Sequence, residues 1–186
     1  MFALLITFQL QSQTDMKTKL PYYEIPDYPE TYTAGSVAAR MLDGLGFRYY
    51  WATEGLTEND LNFKPSEDAR TSGETIEHIY GLSKVIVNAT LKKSNDGGNN
   101  VSEFTFEEKR KQTLENIKTA ADILRHSEDV SQFKLIFGAR EFPFWNNLNG
   151  PIEDAVWHCG QIVSFRRSSG NPYNSKASVF TGKVRE

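Results

Sequence analysis

"GPIEDAVWHCGQIVSFRRSSG", residues 150–170, writes both ends of a helix and a polar stripe between them. Pro151 stands in the first turn, where its missing N–H costs no hydrogen bond. Arg166 and Arg167 occupy the last turn, where cations suit the helix dipole, with Gly170 as C-cap and Pro172 just beyond. Ile152, Val156, Cys159 and Val163 form one apolar line and Ala155 and Ile162 another. Between these lines Asp154, His158 and Gln161 recur at i, i+4 and i+7, so a period of 3.6 residues puts them along one stripe. A solvated face would carry Lys and Glu with freer spacing. A stripe flanked by apolar residues reads as a polar site turned toward other helices.

Three earlier segments supply those helices. From 33 to 54, Ala38, Met41, Leu42, Leu45, Tyr49 and Ala52 recur at three and four residues on one apolar face. "LTENDLNFKPSEDAR" then reads as a polar loop. Thr71 and Glu74 form a Thr-x-x-Glu capping box and start a second helix, to about Leu91, with Thr75, Ile79, Leu82 and Ile86 as its stripe and His78 on the edge. "KKSNDGGNN" breaks it. Thr105 and Glu108 repeat the box, and Phe106, Leu114, Ile117, Ala121 and Leu124 carry a third helix to about residue 126. The long connection to Pro151 holds "FKLIF", which reads as a short strand, and "EFPFWNNLNG", an aromatic loop.

These features predict an all-α fold, a single-domain four-helix bundle over residues 33–172, with a C-terminal tail at 173–186. The 186 residues suffice for one domain with a real core. A formal net charge of −3 with interspersed signs excludes a dedicated polyanion binder, so no nucleic-acid partner is expected. One cysteine, Cys159, excludes an internal disulfide, and its place on the helix marks it as core. The apolar run Phe2 to Leu10 is too short to span a bilayer. Residues 1–14 fit a signal peptide, implying an exported or periplasmic protein, although the basic flank is missing; an apolar arm on a cytoplasmic protein is the other reading. Residues 15–32, with Pro21, Pro26, Pro29 and several tyrosines, predict an extended segment laid over the fold.

An unpaired buried carboxylate is costly, and a basic side chain or a metal ion compensates it. Asp154 and His158 project from successive turns and can ligate one ion if another helix adds a third ligand; His78 is the best candidate, with Gly81 one turn later leaving room. The plainer reading is equally open on the residues alone: Asp154 accepts a hydrogen bond from His158 or caps the helix, and His78 is an ordinary core histidine. His126 reads as a cation at a helix C-terminus. Glu74 reads first as a cap, with an orienting role behind the ligands as its alternative.

"LTENDLNFKPSEDARTSGETIEHI" followed by "EDAVWHCGQIVSFRR" resembles the DinB/YfiT-like superfamily of metal-binding four-helix bundles: a Leu-x-x-x-x-Leu-x-x-x-Pro loop, a Glu-x-x-x-His helix and a final His-x-Gly-Gln helix, across residues 35–170. The resemblance implies a divalent metal, Zn, Ni, Fe or Mn, on three histidines, one on the second helix and two as His-x-x-x-His on the last. His78 and His158 match two of them, and Asp154 occupies the remaining position. Two histidines and a carboxylate still make a site with open coordination. Gln161 would orient a bound group. The resemblance further implies thiol-dependent transferases and isomerases acting on small molecules; export would favour metal-assisted hydrolysis instead. The competing class is a bundle that has lost its metal and serves as a binding or homodimerisation module through Phe142, Phe144 and Trp145.

Overall fold

Threonine caps open four successive helices. The computed structural model describes residues 19–96 and 104–186, so the leader expected at 1–14 lies outside the described residues. Helix α1 spans Ala34–Thr53, and its cap residue Thr33 exchanges hydrogen bonds with Ser36, at 2.8 and 3.0 Å. The same reciprocal box, Thr57 with Asp60, starts α2, Glu58–Asn62. Thr71 with Glu74 starts α3, Ser72–Thr90, and Thr105 with Glu108 starts α4, Phe106–Arg125. The last two boxes are those read from the sequence. Helix α2 corrects the polar-loop reading, because one and a half turns are too short for an apolar period to show.

Strands β1, Leu135–Phe137, and β2, Arg140–Phe142, form an antiparallel hairpin with Ile136 opposite Glu141. The strand read in "FKLIF" is therefore real but shorter. Helix α5, Phe144–Asn147, runs through a π-helical turn, Leu148–Ile152, into α6, Glu153–Ser168. Pro151 lies inside the π turn rather than in the first α-helical turn, and α6 has no side-chain cap. The backbone is already helical before Glu153, and the wider turn relieves the clash that a proline ring makes with the preceding turn. Strands β3, Ala177–Ser178, and β4, Lys183–Val184, pair antiparallel, so the segment expected as a tail closes into a hairpin.

The described chain is mostly helical. Helices α1 and α3 each pack against both α4 and α6. Arg110 of α4 meets Thr53 and Glu54 at the end of α1, while Arg125 reaches back to Asp43, so these helices run antiparallel. Lys109 pairs with Glu77, and Asn116 bonds Ser83, so α3 and α4 run parallel. The connections 54–71 and 126–152 each join helices on opposite sides of the core, which accounts for their length.

Helix α1 departs from the single apolar face. Met41 is 37% exposed, whereas Ala39, Phe47, Tyr50 and Trp51 are buried beside Leu42, Leu45 and Tyr49. The cause is the extended N-terminal segment, which covers the helix's outer side. Tyr22 and Ile25 are buried there, and Trp51 Nε1 donates to the Tyr23 carbonyl at 3.1 Å. Gly46 admits the Tyr22 ring, since a Cβ would lie 2.3 Å from it. Ile25 N–H donates to Gly182 O at 2.9 Å, tying the segment to the C-terminal hairpin. In the aromatic loop Phe144 is buried and closes the core, while Trp145 is 74% exposed. Among the described residues no helix is long and apolar enough to cross a membrane.

Two polar hubs hold the end where α1 and α6 terminate. Arg166, 4% exposed, donates to the carbonyls of Trp51 and Ala52 at 3.0 and 3.1 Å and to the Asn171 carbonyl at 2.7 Å. Asp60 accepts from Thr57 N–H at 2.8 Å, from Asn171 Nδ2 at 2.8 Å, and from Ser169 Oγ. Burial pushes its carboxyl up, but the hydrogen bonds from Asn171, Ser169 and Thr57 outweigh this and hold it well below the usual carboxylate range.

Arg166→Met strands several buried carbonyls and should cost about 3 kcal/mol in urea denaturation, whereas Arg167→Met should change stability by less than about 0.5 kcal/mol. Asp60→Ala should cost about 2 kcal/mol at neutral pH. The folded carboxyl is more acidic than the unfolded one, so its contribution is complete above the unfolded pKa of about 4 and is lost as pH falls below it. The gap between wild type and Asp60→Ala should therefore narrow in acid; a gap constant down to about pH 2 would contradict this account.

Candidate metal centre

Helices α3 and α6 are neighbours, and their facing edges carry the polar residues singled out in the sequence. His78 stands in the second turn of α3, on the side not committed to the Ile76 and Ile79 core. On α6 the buried residues Ala155, Cys159 and Ile162 anchor the helix, which leaves the Asp154, His158 and Gln161 stripe along the groove toward α3.

The three residues converge. His78 Nε2 lies 3.0 Å from Asp154 Oδ2, and His158 Nε2 lies 3.3 Å from Asp154 Oδ1. The two imidazoles meet edge to face, with ring centroids 4.8 Å apart and planes at 88°. One donor atom from each residue can be chosen so that all three lie within 4.8 Å of one another. Among the described residues this is the one group of three His, Cys, Asp or Glu side chains with that property. Asp154 thus has one oxygen for each histidine. Ligands about 2.1 Å from a common ion stand roughly 3.0 to 3.4 Å apart at octahedral and tetrahedral angles; each imidazole stands at that spacing from its own Asp154 oxygen, while a set of one donor atom per residue spreads to 4.8 Å.

Exposure differs across the cluster and defines its open side. The side chains of His78 and Asp154 are 35% and 39% exposed, and that of His158 is 14% exposed. His158 is the inner member, and a ligand would approach past the other two. A Cβ built on Gly81 would meet no atom within 4 Å, so the glycine is not needed to make room there.

Gln161 fixes the inner histidine. Its Oε1 lies 2.6 Å from His158 Nδ1, an arrangement in which Nδ1–H donates to the amide oxygen. In the neutral ring Nε2 then carries the lone pair and faces Asp154 Oδ1, acceptor against acceptor. That contact is relieved by a proton, giving an imidazolium–carboxylate pair, or by a cation between the two atoms. A histidine oriented through its other nitrogen is the usual arrangement of a metal ligand.

The remaining candidates separate cleanly. Glu74 accepts from the Thr71 N–H at 2.7 Å and from its hydroxyl, bonds that hold the carboxyl below the usual range; its job is the cap of α3. His126 Nδ1 bonds the Asp122 carbonyl at 2.8 Å in the last turn of α4, as its position implied. Burial pushes the Cys159 thiol up to about 12, which leaves no thiolate for chemistry. Sequence reading passed over Trp157, which is 73% exposed on α6 next to His158 and one turn from Asp154. Only its bulk could have drawn notice, since an exposed tryptophan has no pattern of its own.

No protein-family model, curated protein or solved structure matches this chain. What the site can do therefore follows from its donors: two imidazoles and a carboxylate, partly open, between helices held by an independent core.

Because Asp154 and His78 are partly exposed, their mutual contact should contribute little to folding. Asp154→Asn in chelator-treated protein should change the unfolding free energy by less than about 1 kcal/mol. A larger loss would mean that the cluster is a structural pin rather than a site.

Proposed function

We propose that this chain is a divalent-metal-dependent enzyme on a four-helix bundle of the DinB/YfiT-like type. His78, Asp154 and His158 hold the ion, and Gln161 orients His158. The observation that carries the reading is the convergence of three donor side chains from α3 and α6, each within 3.3 Å of Asp154 or belonging to it. The packing of α1 and α3 each against both α4 and α6 supports a four-helix arrangement. The donor set suits Zn, Ni, Fe or Mn. When bound with open positions, such an ion supplies Lewis acidity that lowers the pKa of water or a thiol. The chain's own part is to bind and aim: Asp154 offers one oxygen to each histidine, Gln161 keeps Nε2 of His158 turned toward Asp154, and a small-molecule substrate would enter past the partly exposed His78 and Asp154. The reaction class that follows is hydrolysis or thiol-dependent group transfer.

A second reading rests on different residues. Trp145 and Trp157, 74% and 73% exposed, are large apolar groups on the surface. They suit a binding or homodimer interface on a bundle that does no chemistry.

Metal analysis separates the two. Purified protein, stripped and reloaded with Zn, Ni, Fe(II) or Mn, should retain about one ion per chain, and Asp154→Ala or His158→Ala should retain none while staying folded. Gln161→Leu should weaken binding by about 10- to 100-fold. Equal metal content in wild type and Asp154→Ala, or none in either, would end the metalloenzyme reading.

A further inference from the structure

A second concavity lies on the other flank of α6, between that helix, α1 and the β3–β4 hairpin. Its volume is about 670 Å³, inside the range of roughly 300 to 1,000 Å³ typical of small-molecule sites. The walls are apolar, with Val156, Val163, Pro172 and Val179 among them. Arg48, Arg167 and Arg185 stand around the same space. Three guanidinium groups on an apolar groove would ordinarily find carboxylates. Among the described residues none of the three forms an ion pair. Arg48 Nη1 donates to its own helix at Gly44 O, 2.9 Å away, and Arg185 donates to the Ser175 carbonyl.

The three charges share one focus. Tyr173 reaches into the groove and donates its hydroxyl to Ala177 O at 2.7 Å. Burial raises its phenol above the ordinary value, and the charges that oppose this are those of Arg167, Arg48 and Arg185, with no carboxylate among them. Cys159 also lines the groove, and burial pushes its thiol up to about 12, so it offers no thiolate there.

We infer that this groove binds an anionic amphiphile, a carboxylate or phosphate head on an apolar body, with the head among Arg48, Arg167 and Arg185 and the body along Val156, Val163 and Val179. The inference is independent of the proposed metal: Val156, Cys159 and Val163 face this groove, whereas Asp154, His158 and Gln161 face α3. Charge complementarity names the head, and the apolar walls exclude a small inorganic anion as the whole ligand. A free acyl anion and a lipid headgroup share this chemistry.

Displacement of a dansylated fatty acid from the full chain tests it, with decanoate, decyl phosphate, decanol and acetate as competitors. Both ten-carbon anions should displace the probe at concentrations at least about tenfold below decanol, acetate should not compete, and rising salt should weaken the anions. The double variant Arg167→Gln/Arg185→Gln should lose at least about tenfold in affinity without a change in melting temperature, since both side chains are exposed. Ser175→Glu, which sets a competing carboxylate at the exposed rim, should act likewise. Sedimentation with phosphatidylcholine vesicles, with and without phosphatidylglycerol, separates the sources. Pelleting that needs phosphatidylglycerol and fails in the double variant assigns a membrane lipid; decanoate binding without pelleting assigns a free amphiphile. Decanol as potent as decanoate, unchanged affinity in both variants, or no displacement by either anion overturns the inference.

Discussion

Arg166 keeps a positive charge inside the protein by giving its N–H groups to carbonyls of Trp51, Ala52 and Asn171. A planar guanidinium with fixed donor directions can satisfy several acceptors at once only if they arrive from set positions. It therefore locks the end of α1 to the end of α6. Asp60 does the same for the short helix α2, by accepting from Asn171 and Ser169. Once these ends are pinned, α6 cannot slide against α1 or α2 without stranding buried polar groups. His78 meets Asp154 where α3 packs on the helix so held.

This division of labour matters for the cluster. Its members are partly exposed, and contacts of that kind contribute little to stability, so the fold does not rest on them. Buried Asp43 with Arg125 shows the opposite arrangement: burial raises the Asp43 carboxyl, Arg125 opposes this through both oxygens at 3.0 Å, and the pair serves the core alone. The same polar chemistry, placed at different depths, gives a buried strut in one case and a partly open cluster in the other.

Much of this was written in the chain. The Thr-x-x-Glu boxes at 71 and 105 mark helix starts because each satisfies orphan backbone donors locally, whatever the tertiary context. The stripe at Asp154, His158 and Gln161 was legible for a similar reason, since helical period alone aligns it, and His78 followed from the expectation of a partner helix. The features that escaped reading depend on distant residues. Met41 and Trp51 exchange roles because Tyr22 and Ile25 cover α1 from outside. The burial of Arg166 was hidden by a sufficient local explanation, a cation in a last turn. Strands β2, β3 and β4 and helix α2 are too short to carry a period.

The π turn at Leu148–Ile152 holds one residue more than an α-helical turn would. That surplus acts as a mechanical clutch between two stretches of one continuous rod. Deleting a residue there would restore the tighter turn and rotate Phe144 and Trp145 by about 100° relative to Asp154 and His158, while the anchoring of α6 to α1 kept the histidines in place. The length of this one turn thus sets the angle between the aromatic residues of α5 and the polar stripe of α6.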